Sequence, residues 1–278
     1  MSECITFVIM KNVYFLFLLL AITLSSCEEM FEYHPNQIRL NGDEQHLTAH
    51  NLERLRSQQP GDTLRLLVMG DTQRFYDDAE AFVEKANTFA DIDFVIHQGD
   101  ISDFGMTQEF RWVHDIMRRL KWPYLTVIGN HDMLANGRKV YQRMYGDFNY
   151  SFVYGHTKFV MVDTNGREYS FNGKVPDIGW LGSQLVRQPG EAWQQAIVVS
   201  HIPPYDGDFD RQLEQPFHQT LKESGRVQLS LHGHIHNWRT EKTYDNTILY
   251  HATTTVKKRE FSYIKVWRDG YNIRRIAY

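Results

Sequence analysis

The chain has 278 residues, of which 42% are hydrophobic, 23% charged and 14% aromatic, and its formal net charge is −4. That composition suits one large or two small globular domains and excludes a disordered or repetitive chain, while the mild acidity argues against a surface built to wrap nucleic acid. Both cysteines, Cys4 and Cys27, precede the globular part, so a metal site there has to be built from His, Asp, Asn and Gln.

The first segment reads "MSECITFVIMKNVYFLFLLLAITLSSCEEM". Lys11 precedes an apolar run from Val13 to Leu24, too short to span a bilayer comfortably but suited to the core of a signal peptide. Leu24-Ser25-Ser26-Cys27 resembles a bacterial lipobox, in which the cysteine is lipidated and becomes the mature N-terminus. The expectation is a lipoprotein-type signal over 1–27 and an exported, membrane-anchored protein facing the periplasm or the cell surface. An uncleaved anchor running from Ile5 past Lys11 is the alternative. Either way residues 28–278 lie outside the cytoplasm. Residues 28–60 are polar, end in "SQQPG", and read as a tether with some helix around 47–57.

Six short apolar runs follow: "LRLLVMGD" (64–71), "DFVIHQGD" (93–100), "PYLTVIGN" (123–130), "KFVMVDTN" (158–165), "QAIVVSH" (195–201) and "VQLSLHGH" (227–234). Each is nearly continuous in apolar residues, as expected of strands covered on both faces. Residues 77–90 open with acidic residues suited to a helix N-terminus, and 106–121 place Phe110, Val113, Ile116, Met117 and Leu120 on one helical face. Strand, helix and strand at this spacing make βαβ units, so periodicity alone predicts an α/β domain over 61–278 with a largely parallel sheet. From Thr247 to Tyr278 the pattern alternates around a turn at Arg268-Asp269-Gly270, predicting antiparallel strands that finish a sheet.

Five of the six runs end on residues able to bind a metal: Asp71, Asp100, Asn130, His201, and His234 with His236. Open α/β sheets gather ligands beyond the carboxyl ends of their strands, so five distant segments are expected to meet in one crevice. No phosphate-binding G-x-x-x-x-G-K-[ST] loop and no G-x-S-x-G elbow is present, which argues against a P-loop nucleotidase and a serine esterase.

The blocks "GDTQ" (70–73), "GDISD" (99–103), "GNHD" (129–132), "SHIPP" (200–204) and "GHIH" (233–236) resemble, in this order, the signature of the calcineurin-like metallophosphoesterases. The resemblance runs from about Leu64 to the end and implies a four-layered αββα sandwich of two mixed β-sheets. It implies two divalent ions (Mn, Fe, Mg or Zn, with Mn favoured), one held by Asp71, Gln73, Asp100 and His236 and the other by Asp100, Asn130, His201 and His234. Such ions, about 3.5–4 Å apart, activate a hydroxide and clamp the oxygens of an in-line displacement at phosphorus. The implied function is hydrolysis of phosphate mono- or diesters; a lipid-anchored metal- or phosphate-binding protein that keeps the fold without turnover is the competing reading. Apart from the ester and a membrane at the lipidated end, no partner is implied.

Gln73 departs from the commoner histidine of the family; its neutral amide oxygen favours Mn, Mg or Fe over Zn. His131 is assigned as proton donor to the leaving group, with Asp132 expected to orient it. Arg74 and Tyr205, adjacent to ligands, are the candidates for substrate contact, and His232 is expected to pack rather than ligate.

Overall fold

The computed structural model describes residues 37–278, so the signal segment and Cys27 lie outside the described residues. Among the described residues no helix is long and apolar enough to cross a membrane. Ile38–Tyr278 form one compact unit.

All six apolar runs are strands: β1 (Thr63–Met69), β2 (Phe94–His97), β3 (Tyr124–Thr126), β5 (Thr157–Val162), β6 (Gln195–Ser200) and β7 (Val227–His232), with β4 (Tyr150–Tyr154) hydrogen-bonded to β5. The C-terminal third adds β8 (Arg239–Glu241), β9 (Leu249–Ala252), β10 (Glu260–Trp267) and β11 (Gly270–Ala277). They form two mixed sheets, ordered β11-β10-β1-β2-β3 and β4-β5-β6-β7-β9-β8. The segment after Thr247 therefore does not finish a single sheet. Its first strand, β9, runs parallel beside β7 in the second sheet, and the β10–β11 hairpin extends the first sheet along β1.

The apolar runs are continuous because each sheet is covered twice. Leu64, Leu66 and Val68 of β1 turn inward with Phe94 and Ile96 to meet Phe159, Met161, Ile197 and Leu229 of the facing sheet. Leu67 and Met69 turn outward onto Phe82 and Val83 of a helix α2 (Tyr76–Ala86), and onto Phe110 and Val113 of a helix α3 (Thr107–Met117). On the other side Val160, Val162 and Val198 meet Leu181, Phe217 and Leu221, carried by helices Ile178–Leu185 and Arg211–Glu223. Three apolar layers thus separate four structural ones, and each fully buried Leu or Phe contributes about 2 kcal/mol by leaving water.

The tether expected over 28–60 is not one from Ile38 onward. A helix α1 (Leu47–Arg56) buries Leu47 in the outer core and Leu55 in the inter-sheet core, straddling the edge of the first sheet at β3. Asn51 Oδ1 accepts the N–H of Tyr124 at 3.1 Å, which caps a backbone donor on that edge strand. Arg111 Nε donates to Glu44 Oε1 at 2.6 Å and pins the preceding turn.

A buried polar seam joins the sheets near their ends. His251 of β9 meets Ser262 Oγ of β10 through Nε2 at 2.7 Å and Thr240 Oγ1 through Nδ1 at 2.9 Å. Burial pushes its pKa from the ordinary 6.5 down to about 4. His232 is pushed lower, to about 3, by burial and then by the charges of His251 and His201. A depressed folded-state pKa means that the unfolded chain takes up the proton first as pH falls. Stability is full above about pH 6.5 and is lost as pH drops through the folded value, by about 3 kcal/mol for His251 alone. Thermal melts from pH 7.5 to 4 should show this decline, with a shallower slope for His251→Gln. An identical slope in the two proteins would refute the assignment.

Candidate metal centre

The loops leaving β1 and β2 are laced together. Asp71 N–H donates to Gly99 O at 3.0 Å, and the N–H groups of Thr72 and Gln73 donate to Asp100 O at 3.0 and 3.2 Å. The loop after β3 crosses directly beneath. A Cβ on Gly99, which has φ +87°, would lie 2.8 Å from Gly129 N, and one on Gly129 would lie 2.2 Å from both Asp100 N and Oδ1. Only hydrogen at these two positions lets the second and third loops touch.

Four of the predicted ligands occupy left-handed backbone: Asp71, Asp100, His234 and His236 have φ of 55°, 53°, 67° and 51°. Non-glycine residues in this region cost about 1–3 kcal/mol each and persist where surroundings over-determine them. Here the bonds that do so are visible. Thr255 Oγ1 donates to Asp71 O at 2.9 Å, and His234 N–H donates to Asp71 Oδ1 at 3.2 Å. Thr254 Oγ1 and Lys258 Nζ hold His236 O at 2.9 and 2.7 Å.

The side chains converge in two adjoining groups. Asp100 Oδ1 lies 3.3 Å from His201 Nε2, and Asn130 Oδ1 lies 3.1 Å from that same nitrogen and 3.0 Å from His234 Nδ1. Beside them Asp71 Oδ1 lies 3.2 Å from His236 Nε2, while Asp71 Oδ2 and Gln73 Oε1 are buried without a hydrogen-bond partner. Asp71, Asp100 and His201 each place a ligand atom within a single 4.8 Å group. Burial opposes charge on Asp100 and His201, but their attraction wins. It holds the Asp100 carboxyl below the ordinary carboxylate range and the His201 imidazole well above its own.

Carboxylate, amide and imidazole atoms facing one another at these distances, with two buried acceptors unpartnered, fit divalent cations. The structure thus brings Asp71, Gln73, Asp100, Asn130, His201, His234 and His236 into one crevice.

His131 sits on a short turn (His131–Met133) at the rim; its N–H donates to Asp100 Oδ1 at 3.0 Å. Its ring is oriented by Asp103 and not, as expected, by Asp132. Nδ1 lies 2.9 Å from Asp103 O and 3.5 Å from Asp103 Oδ1. Asp132 faces away into the protein, where Oδ1 accepts Ser102 N–H at 2.7 Å and Oδ2 accepts Gly129 N–H at 2.9 Å. Burial and the charge of Asp100 push its pKa up to about 7, against the pull of those N–H donors. It clasps the second and third loops together.

Arg74 is turned onto Asp103 at 2.6 Å, backing the carboxylate beside His131. Tyr205 lies under Arg239, 4.7 Å from ring centroid to guanidinium, and edge-on to Tyr250, with its hydroxyl unpartnered. His232 packs as expected, bonded to Ser200 Oγ at 3.0 Å and stacked on Tyr250. Sequence reasoning missed two features: Gln98 O, which receives His201 Nδ1–H at 2.6 Å, and the pair Asp206 and Asp208 beside His234. Alternate aspartates in "YDGDFD", just after a ligand-bearing strand, were the available signal for the second.

Residues 64–238 match the family model described as calcineurin-like phosphoesterase. A Moraxella catarrhalis protein named a probable cyclic nucleotide phosphodiesterase is 24% identical over 163 residues, 51% of this chain and 57% of that protein. A Xenorhabdus bovienii protein of the same description is 32% identical over 54 residues, 19% of this chain and 22% of that protein. The chain thus spans little more than half the length of the first relative and less of the second. Among solved structures, a dimetal phosphatase from Danio rerio superposes with a TM-score of 0.63 at 13% identity, covering 76% of this chain and 95% of that one.

Proposed function

We propose that this chain, which belongs to the calcineurin-like phosphoesterase family, hydrolyses phosphate esters with two divalent cations and prefers diesters. The observation that carries the reading is the meeting of Asp100, Asn130, His201 and His234 atoms within 3.0–3.3 Å of their neighbours, beside unpartnered Asp71 and Gln73 oxygens. Asp71, Gln73, Asp100 and His236 would hold one cation, and Asp100, Asn130, His201 and His234 the other. Cations bound there would lower the pKa of a water and offset charge on the phosphoryl oxygens. The diester preference takes its support from the names of the Moraxella and Xenorhabdus relatives.

The chain's own residues supply the proton. The contact of His131 Nδ1 with Asp103 O leaves Nε2 as the ring nitrogen to face a substrate. As water adds to phosphorus and the bond to the departing oxygen breaks, Nε2–H passes its proton to that oxygen. Asp103, backed by Arg74, steadies the ring while it is charged. A general acid of this kind contributes about 10²–10⁴-fold. The test is Mn(II)-dependent hydrolysis of bis(p-nitrophenyl) phosphate by wild type and His131→Ala. The variant should lose about that factor in kcat/KM while binding the same amount of Mn(II). A wild-type protein without metal-dependent activity on any ester would sink the enzyme reading.

A further inference from the structure

The two ends of the His234 ring face different chemistry. Nδ1 lies 3.0 Å from Asn130 Oδ1, inside the crevice. Nε2 lies 3.4 Å from Asp206 Oδ1 and 3.6 Å from Asp208 Oδ2. These carboxylates come from the loop after β6, and the loop is locked. Asp206 N–H donates to Pro203 O at 3.0 Å, and Asp206 Oδ1 accepts Asp208 N–H at 2.9 Å. Asp208 Oδ1 is held by Arg167 at 2.7 Å, and the Arg167 N–H returns to Asp208 O at 3.1 Å. Phe209, next in the chain, is buried in the outer core beneath the second sheet.

We propose that Asp206 and Asp208 are positioning residues. They accept the proton on His234 Nε2 and so leave Nδ1, beside Asn130 Oδ1, as the nitrogen that would ligate the cation. A neutral imidazole carries one ring proton, so the partner of one nitrogen decides whether the other is free to ligate. The inference rests on the metal-dependent reading above. It also distinguishes the two histidines assigned to the same cation. His201 gives its outer N–H to a neutral carbonyl, Gln98 O, whereas His234 turns its own toward carboxylates. Although Asp206, Asp208 and His234 are themselves close enough to surround a cation, Arg167 already neutralises Asp208 from its other oxygen.

The test combines two measurements that start from chelator-stripped protein. Calorimetric Mn(II) titration should give two equivalents for wild type. In Asp206→Asn/Asp208→Asn, which keeps the shapes and removes the charges, one of the two should weaken about 10–100-fold with the other unchanged. Independently, ¹⁵N–¹H correlation spectra of wild type loaded with diamagnetic Zn(II), with His234 assigned by comparison with His234→Gln, should show its proton on Nε2. A proton on Nδ1, or unaltered affinities in the double variant, would overturn the proposal. So would a third wild-type equivalent lost in that variant, because Nε2 would then face a cation. A wild type that binds no Mn(II) would instead refute the metal-dependent reading and this proposal with it, whereas unaltered affinities in the double variant would overturn this proposal alone.

Discussion

Replacing Asp100 by Asn is expected to lower metal-dependent ester hydrolysis roughly a thousand-fold, the kinetic equivalent of about 4 kcal/mol. The metal-free protein is expected to lose stability as well, because buried His201 is left without the carboxylate that offsets its charge. The two outcomes have one cause. Asp100 Oδ1 accepts the backbone N–H of His131 at 3.0 Å, a bond that an asparagine oxygen can keep. What asparagine cannot keep is a buried negative charge, almost fully shielded from water, between His201 and the Asp71 side of the crevice. That charge is offset by His201 when no cation is bound, and it is what would draw two cations into adjoining positions. Mn(II) should therefore raise the melting temperature of wild type, as any ligand of the native state does, and have little effect on Asp100→Asn. Activity within about tenfold of wild type would show that no shared carboxylate is needed.

The second large effect is conformational. Gly129→Ala places a Cβ 2.2 Å from Asp100 N and Oδ1 and 2.9 Å from Asp100 Cα. The neighbour is backbone, so no side-chain rotation relieves the clash. Either the third loop retreats, breaking the 2.9 Å bond from Gly129 N–H to Asp132 Oδ2, or Asp100 moves. The expected cost is about 3 kcal/mol, which for a domain of this size lowers the melting temperature by about 6–12 °C. Displacing Asp100 by 1 Å would cost activity about a further hundred-fold. Gly207→Ala is the control, because a Cβ there meets nothing within 4 Å. Equal melting temperatures for the two variants would show that the loops are less tightly apposed than described.

The catalytic assignments differ in how far sequence could carry them. His131 stands out because it follows a ligand-bearing loop, yet its partner was not legible. Asp132 is adjacent in sequence and Asp103 lies 28 residues away, but Asp103 is the one that meets the ring. The turn at His131–Met133 sends consecutive side chains in opposite directions, one to the rim and the next into the protein. Sequence adjacency therefore misleads at a tight turn, where it would inform on a strand.

What the sequence determined by itself is the set of buried strands and the chemistry at their ends. Burial on both faces demands a nearly continuous apolar run, and the six runs became β1, β2, β3, β5, β6 and β7. Residues following such a run emerge at the strand's carboxyl edge, so Asp71, Asp100, Asn130, His201, His234 and His236 were legible as a group. Only the tertiary structure decided the pairing of β9 beside β7, the docking of α1 on the β3 edge, and the placement of Asp206 and Asp208 against His234. These are contacts between segments distant in the chain. They depend on loop backbone held at positive φ and on which hydrogen-bond acceptor lies nearest in space, and neither leaves a periodic mark in a sequence.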